Sequence, residues 1–498
     1  MSARSTSSAG NASSAETASS ARTADLGAFP WLRVATAFLA IAAGLICFSS
    51  LEFMLEEIQK NFAMSADDTI VVAQISAGAA LCAVFVTGGL ADRLGNRRVI
   101  TIAALLLSIG AVGVGVSPNT AVLLVGSAIS AVGTIALAIV GLSVLNSTFS
   151  EPKLRARAFG LFAVIAPVVA IFVPLVAGVV IPLMGWRSIT VLWVAVAVAI
   201  VLLARRSLQL HKESPTANNP PSEQLTPLLA GVALAGIALT FSFLNITSRT
   251  QQHLGHAVVS VSIGLVSLGV LLLIMRTRPN RTLDIRWFRG RGALSVAAVV
   301  FIINSVNLFF FTFLILQFRY HQSLFETAGF LMIPQATATI GAILSGRLSE
   351  KRGSWRVAAT ALVLASVLSA GTFIVGPESS PWVAVAVLSL AAIPIAAAVG
   401  PTTQSFMDLA PSDGVGAASS WRNASSNLGV AIGGVIVGAI VFNDLDRDTE
   451  KTIEAFRMQA DAFHLAGLLC VIGYLVAAGF MVIHGSRRGG LRHHDAGN

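Results

Sequence analysis

The chain has 498 residues, of which 55% are hydrophobic and only 11% charged. A soluble globular protein carries about 25% charged residues, so this chain is too poor in charge to cover itself with polar groups, whereas a bilayer accepts an apolar exterior. The net charge of +9 does not point to nucleic acid, because the basic residues sit in short breaks between apolar runs, as membrane topology requires.

Met1 to Asp25 form a Ser/Ala/Thr tract without the early apolar core of a signal peptide, and a disordered cytoplasmic tail is expected over 1–30. A membrane-crossing helix needs about 20 apolar residues. Such runs are predicted at 33–57, 69–90, 99–118, 121–145, 158–182 and 188–206, then at 227–246 and 257–275. A further group follows at 292–318, 326–347, 356–376, 381–408, 415–442 and 461–484. The expected fold class is therefore all-α transmembrane, with about fourteen spans. Its expected parts are a six-helix bundle over 31–206, a cytoplasmic linker over 207–226, two extra helices and a basic loop over 227–290, a second six-helix bundle over 291–485, and a cytoplasmic tail over 486–498. Pro215, Pro220 and Pro221 mark the linker. The outer break 443–461 is longer and mixed in charge, and a short surface helix is predicted at 449–458.

Charge placement orients this plan. With the N-terminus inside, the inner breaks hold Arg33, then Arg93, Arg97 and Arg98, then Lys153, Arg155 and Arg157, then Arg205, Arg206 and Lys212. They continue with six arginines between Arg276 and Arg291, then Arg347, Lys351, Arg352 and Arg356, and the basic C-terminal tail. The outer breaks hold only Lys60, Arg187, Arg249, Arg319, Arg447, Lys451 and Arg457. This asymmetry follows the positive-inside rule and predicts an even number of spans with both ends in the cytoplasm. Cys47, Cys82 and Cys470 lie far apart in apolar runs and read as packing residues, without metal or redox spacing. No phosphate-cradling nucleotide loop, nucleophile elbow or metal motif is present. No cofactor and no enzymatic activity are expected, and any pumping would draw on an ion gradient.

The break after the second span reads Gly88-Gly89-Leu90-Ala91-Asp92-Arg93-Leu94-Gly95-Asn96-Arg97-Arg98. Its glycines allow a tight turn. Asp92 can accept from backbone or from an arginine, and the arginines can pair across to other helices in one conformation and release in another. A degenerate copy, Gly346-Arg347-Leu348-Ser349-Glu350-Lys351-Arg352-Gly353, stands at the matching place in the second half. This motif resembles the loop signature of the major facilitator superfamily. Asn146 to Phe149 with Arg155 to Leu161, Gly185-Trp186-Arg187, Leu283 to Arg289, and Gly416 to Gly429 are similar to the fourteen-helix drug:proton antiporter group (QacA/EmrB type). The resemblance covers nearly the whole chain from about residue 31. It implies the major facilitator fold, a bacterial inner-membrane location, a small-molecule substrate, protons as coupling ion, a monomer, and alternating access by rocking of two bundles.

The sequence departs from that group at its coupling positions. Cys47 stands where the group has an aspartate, Glu52 where it has an asparagine, and Ile129 where it has an arginine. In the fifth span Gly160 is kept, while Val173-Pro174 and Ala177-Gly178 replace a Gly-Pro and a Gly-Gly pair. Glu52 is the alternative coupling candidate, since a carboxylate within apolar sequence costs several kcal/mol and so faces a cavity or a partner; snorkelling to the outer surface is the competing reading. Glu56 can pair with Lys60 one turn on. Arg422 is read as opening the thirteenth span, with Asn423 and Asn427 on one face. It could bind an anionic group or simply reach interfacial water. Asn245, Asn304, Asn307, Gln335 and Gln404 are further cavity candidates, against the alternative of hydrogen bonds between helices. Phe309, Phe310, Phe311 and Phe313 read as lipid-facing packing. The expected function is export of a small amphiphilic or cationic compound by proton antiport, as in multidrug efflux. Two alternatives stay open, a transporter of one metabolite or lipid-like compound with different coupling, and a transporter-like receptor or scaffold that moves nothing.

Overall fold

The computed structural model describes residues 30–64, 66–208, 225–246, 251–277, 292–318, 320, 323–376, 378–411, 414–442 and 453–495. The N-terminal tail, most of the linker, the Leu283 to Arg289 segment and most of the 443–461 break lie outside the described residues. The described residues build helices and short turns, and no strand among them. The first group is α1 (Trp31–Phe62), α2 (Ala66–Leu94), α3 (Asn96–Gly115), α4 (Thr120–Thr148), α5 (Pro152–Phe162), α6 (Ile165–Met184) and α7 (Ile189–Ser207). Then come α8 (Leu225–Ile246) and α9 (Gln251–Thr277). The second group is α10 (Ala293–Ser305), α11 (Leu308–Phe318), α12 (Leu324–Arg352), α13 (Ser354–Ser369), α14 (Pro381–Met407), α15 (Val415–Phe442) and α16 (Ile453–Asp495).

Every one of the predicted spans falls on helix. Twelve helical segments among the described residues are long and apolar enough to cross a membrane. The two remaining predicted spans correspond to α8 and α15. The latter carries Arg422, Asn423, Asn427 and several serines along its first half. The predicted surface helix at 449–458 is corrected from Ile453 onward, because those residues already form the start of the 43-residue α16.

Two predicted spans are each broken in two. Between α5 and α6, Pro167 has no N–H to give to the carbonyl of Ala163, so the helical ladder is interrupted there. Between α10 and α11 the chain unwinds at Val306 and Asn307. The Asn307 side chain accepts from the N–H of Phe309 at 3.1 Å and starts α11, while the Tyr474 hydroxyl of α16 donates to the freed Val306 carbonyl at 2.9 Å. Both orphaned groups are thereby satisfied, as burial in a bilayer demands. Some helix starts carry side-chain caps. Asn119 accepts from Val122 N–H, and Ser323 and Glu326 form a reciprocal capping box.

The two related loop motifs adopt the same backbone. Gly95 ends α2 at φ 81°, ψ 150°, and Gly353 ends α12 at φ 84°, ψ 145°. That region is essentially closed to side chains, at a cost of about 1–3 kcal/mol for a non-glycine residue. Gly95→Ala is therefore expected to lower the thermal unfolding midpoint of the purified protein by several degrees. An unchanged melt would show that the turn relaxes without strain.

Within the first group α1 packs on α4, α6 and α7, and α3 on α4 and α7. Trp193 of α7 is buried and donates its indole N–H to Ser50 of α1 at 2.8 Å. In the second group α14 packs on α12 and α13, and α10 on α15 and α16. The groups meet along two seams, α2 against α15 and α5–α6 against α12 and α14. The extra helix α8 lies against both α2 and α15, over the first seam, and α9 packs on α8. At these crossings Gly231 abuts the Cys82 backbone and Gly236 abuts Gly264.

Candidate functional site

The seams are closed at the end of the molecule that carries the basic loops. Asp92 at the end of α2 accepts the backbone N–H groups of Gly416 at 2.7 Å and Ala417 at 3.0 Å. These are first-turn donors of α15, which have no partner within their own helix, and the carboxylate also meets the positive end of the helix dipole. Just above this contact, Gly88 faces Gly416 so closely that a Cβ on Gly88 would stand 2.5 Å from the Gly416 carbonyl oxygen. Ser420 of α15 donates to the Val84 carbonyl at 2.6 Å, and Phe85 and Trp421 meet edge to face at 4.9 Å. Arg93 is half-buried, Gly95 is buried, and Arg97 and Arg98 lie on the adjoining turn of α3.

The second seam is closed at the same end. Gly160 of α5 touches the Gly346 backbone of α12 and stands next to Gly400 of α14. Beside it Arg157 pairs with Glu350 at 2.8 Å, and Arg155 pairs with Asp408 at 3.0 Å while also donating to the Phe149 carbonyl. Glu350 belongs to the degenerate copy of the loop motif, so both copies engage the opposite half. Toward the other end, Phe325 at the start of α12 meets Phe53 of α1 with ring centroids 5.2 Å apart, and its ring lies against Gly178 of α6. Pro174 is buried inside α6.

Glu52 lies farther from the end of its helix than the sequence placed it. The predicted end of the first span was near residue 57, but α1 continues to Phe62, so ten residues separate Glu52 from that end, about 15 Å of helix. Its side chain is exposed. It lies on the same face of α1 as the exposed Phe48 and Glu56. It makes no ion pair or hydrogen bond among the described residues. One turn on, Glu56 and Glu57 pair with Lys60 at 2.9 and 3.1 Å at the exposed end of the helix.

Arg422 does not open α15; it lies two turns inside it, because the helix already begins at Val415. Its guanidinium stands over the Phe162 ring of α5 at 5.7 Å, and its Nη2 reaches Thr403 Oγ1 at 3.4 Å. Arg422 forms no ion pair among the described residues, and its buried Nε has no hydrogen-bond partner. On the facing helix, Thr402 Oγ1 and Gln404 Oε1 are likewise buried without a partner. A buried polar group left unsatisfied costs about 1–3 kcal/mol.

The remaining amides divide by environment. Asn423 and Asn427 donate to carbonyls one turn back in α15, at 2.9 Å each. Asn304 donates to Val300 and lies against Gly429. Asn307 is exposed and caps α11. Gln335 is half-buried on α12, and the side chain of Asn245 lies outside the described residues. The three cysteines are free, with Cys47 and Cys470 buried. Of the phenylalanine cluster, Phe311 is buried in the core and Phe310 is exposed, so only part of it faces outward. Sequence reading missed the roles of Arg155 and Arg157, which it treats as topology charges. Their pairing with carboxylates about 250 and 190 residues away leaves no local signal.

Two helical groups joined along paired seams, with matching loop motifs at one end, are the architecture of a membrane transporter built from structural repeats. Residues 36–434 match the Major Facilitator Superfamily, and the chain belongs to that family, as a multi-pass membrane transporter. It is 25% identical over 409 residues to the Multidrug resistance protein Stp of Mycobacterium tuberculosis, covering 80% of this chain and 74% of that protein. It is 23% identical over 359 residues to the Methyl viologen resistance protein SmvA of Salmonella typhimurium, covering 71% of each. The structure of the human organic anion transporter MFSD10 (TETRAN) shares the fold, with a TM-score of 0.59 and 15% identity over 90% of this chain and 100% of that one.

Proposed function

We propose that this protein exports small amphiphilic or cationic compounds from the bacterial cytoplasm by proton antiport. The reading places it in the fourteen-span drug:proton antiporter group, as a monomer in the inner membrane with both termini cytoplasmic. The bundles 31–206 and 291–485 rock about a central cavity, and the 227–290 segment packs outside them. Names of relatives such as Stp and SmvA support an efflux role, and the positive-inside asymmetry supports the orientation.

The observation that carries the coupling is Glu52. It is a carboxylate within apolar sequence and without a charged partner among the described residues, about three turns before the end of α1. A carboxylate so placed can hold a proton in one conformation and release it for a cationic substrate in the other. Everted vesicles with an imposed proton gradient, challenged with a panel of cationic dyes, test the reading. Active compounds should discharge the gradient in proportion to protein content. A protein that binds such dyes in a thermal-shift assay yet discharges no gradient would be a receptor rather than a pump.

A second reading is favoured by Arg422. A guanidinium within a span, its buried Nε unpartnered and its Nη2 at Thr403, suits one specific compound bearing a carboxylate or phosphate. On that reading Arg422→Ala weakens binding of anionic compounds at least tenfold, and Arg422→Lys restores part of it, measured by thermal shift. Unchanged affinity in Arg422→Ala removes the anion site.

A further inference from the structure

We propose that the protein carries a binding site for an anionic phospholipid at its basic end, separate from the substrate path. A cavity of about 290 Å³ opens between the start of α3 and the end of α7, lined by Leu94, Arg97, Arg98, Thr101, Ile102 and Arg205. Three arginines from two helices thus converge on one small space, and no acidic residue lines it. Like charges brought together repel unless an anion joins them. Arg97 and Arg205 form no ion pair among the described residues. Guanidinium forks match phosphate oxygens in geometry as well as charge. The first turn of α3, on which Arg97 and Arg98 stand, adds the positive end of the helix dipole, and Gly95 caps it without a side-chain acceptor.

The apolar surroundings select a lipid over a soluble phosphate. Leu94 and Ile102 flank the arginines. Beyond them Leu105 on α3 and Leu202 on α7 are both more than half exposed, in line with the cavity. In a bilayer these residues face acyl chains, so a headgroup held by Arg97 and Arg205 leaves its tails along α3 and α7. This arrangement is the one expected of basic pockets between helices at the cytoplasmic leaflet. It stands whether or not the transport reading holds.

The test uses the purified full-length protein and native mass spectrometry. Phosphatidylglycerol should be retained about tenfold or more over phosphatidylcholine with the same acyl chains. The Arg97→Gln, Arg205→Gln double variant should lose that preference, the corresponding lysine pair should keep most of it, and Arg356→Gln at the same end of the other group should keep all of it. If the double variant does not fold, Arg205→Gln alone carries the test. Equal retention of both lipids, or a preference that survives loss of the arginines, overturns the site. Displacement of phosphatidylglycerol by inorganic phosphate at equal concentration would make it a soluble-anion site and overturn the lipid assignment.

Discussion

Glu52→Gln is expected to abolish gradient-driven transport, lowering the initial rate in proteoliposomes at least tenfold, while substrate exchange at equal pH on both sides continues. Glutamine keeps the size and much of the hydrogen-bonding capacity of the side chain but cannot release a proton. Because Glu52 has no hydrogen-bond or ionic partner among the described residues, the substitution leaves no other group orphaned, and the effect reports on the proton rather than on folding. Glu52→Asp should keep part of the driven rate, since the carboxylate is withdrawn by one methylene. Full gradient-driven activity in Glu52→Gln would remove this residue from coupling and leave the family's replaced positions, Cys47 and Ile129, without a substitute among the candidates considered.

Asp92→Asn should reduce transport roughly ten- to a hundredfold with substrate binding retained. The carboxylate joins the two groups of helices through two charge-assisted bonds to the start of α15. Bonds to charged groups contribute about 1.5–3 kcal/mol each, and the helix dipole adds about 0.3–1 kcal/mol. An asparagine keeps one acceptor but turns an NH₂ toward a second backbone donor. A loss of about 2 kcal/mol from the form closed at the basic end shifts its population by roughly thirtyfold. Cysteines placed at Arg157 and Glu350, in a background lacking the three native cysteines, would read that closure by short-range cross-linking. The yield should fall when Asp92→Asn is added. Unchanged cross-linking together with normal transport would reduce Asp92 to an ordinary turn residue.

Hydropathy and charge made most of the fold legible. A run of about 20 apolar residues has few options in a bilayer, and α15 begins and ends where the sequence placed it. The breaks were not legible. Ser305-Val306-Asn307 contains neither glycine nor proline, and the kink persists because Tyr474, some 170 residues away, satisfies the freed carbonyl. The loop motif was visible in the sequence, and so were its two copies, but the partners of Asp92, Arg155 and Arg157 were not, because they come from helices packed only in the finished fold. Glu52 and Arg422 stood out as charges in apolar sequence. For Glu52 the distance to the helix end was underestimated, because the largely polar run from Glu56 to Asn61 hides how far α1 continues; Arg422 was read as opening its span although the predicted run already began at 415.

The position of α8 bears on how the molecule can move. It is seated on α2 and α15 together, so when those two helices part it cannot remain fixed to both. One of its faces must act as a sliding bearing while the other stays bonded. The α2 side, with Gly231 nested on the Cys82 backbone and Leu239 lodged against Gly78, interlocks too closely to slide. On the proposed transport cycle the α15 side is then the expected moving surface, with the α8–α9 hairpin travelling with the first group of helices and covering the seam against lipid tails.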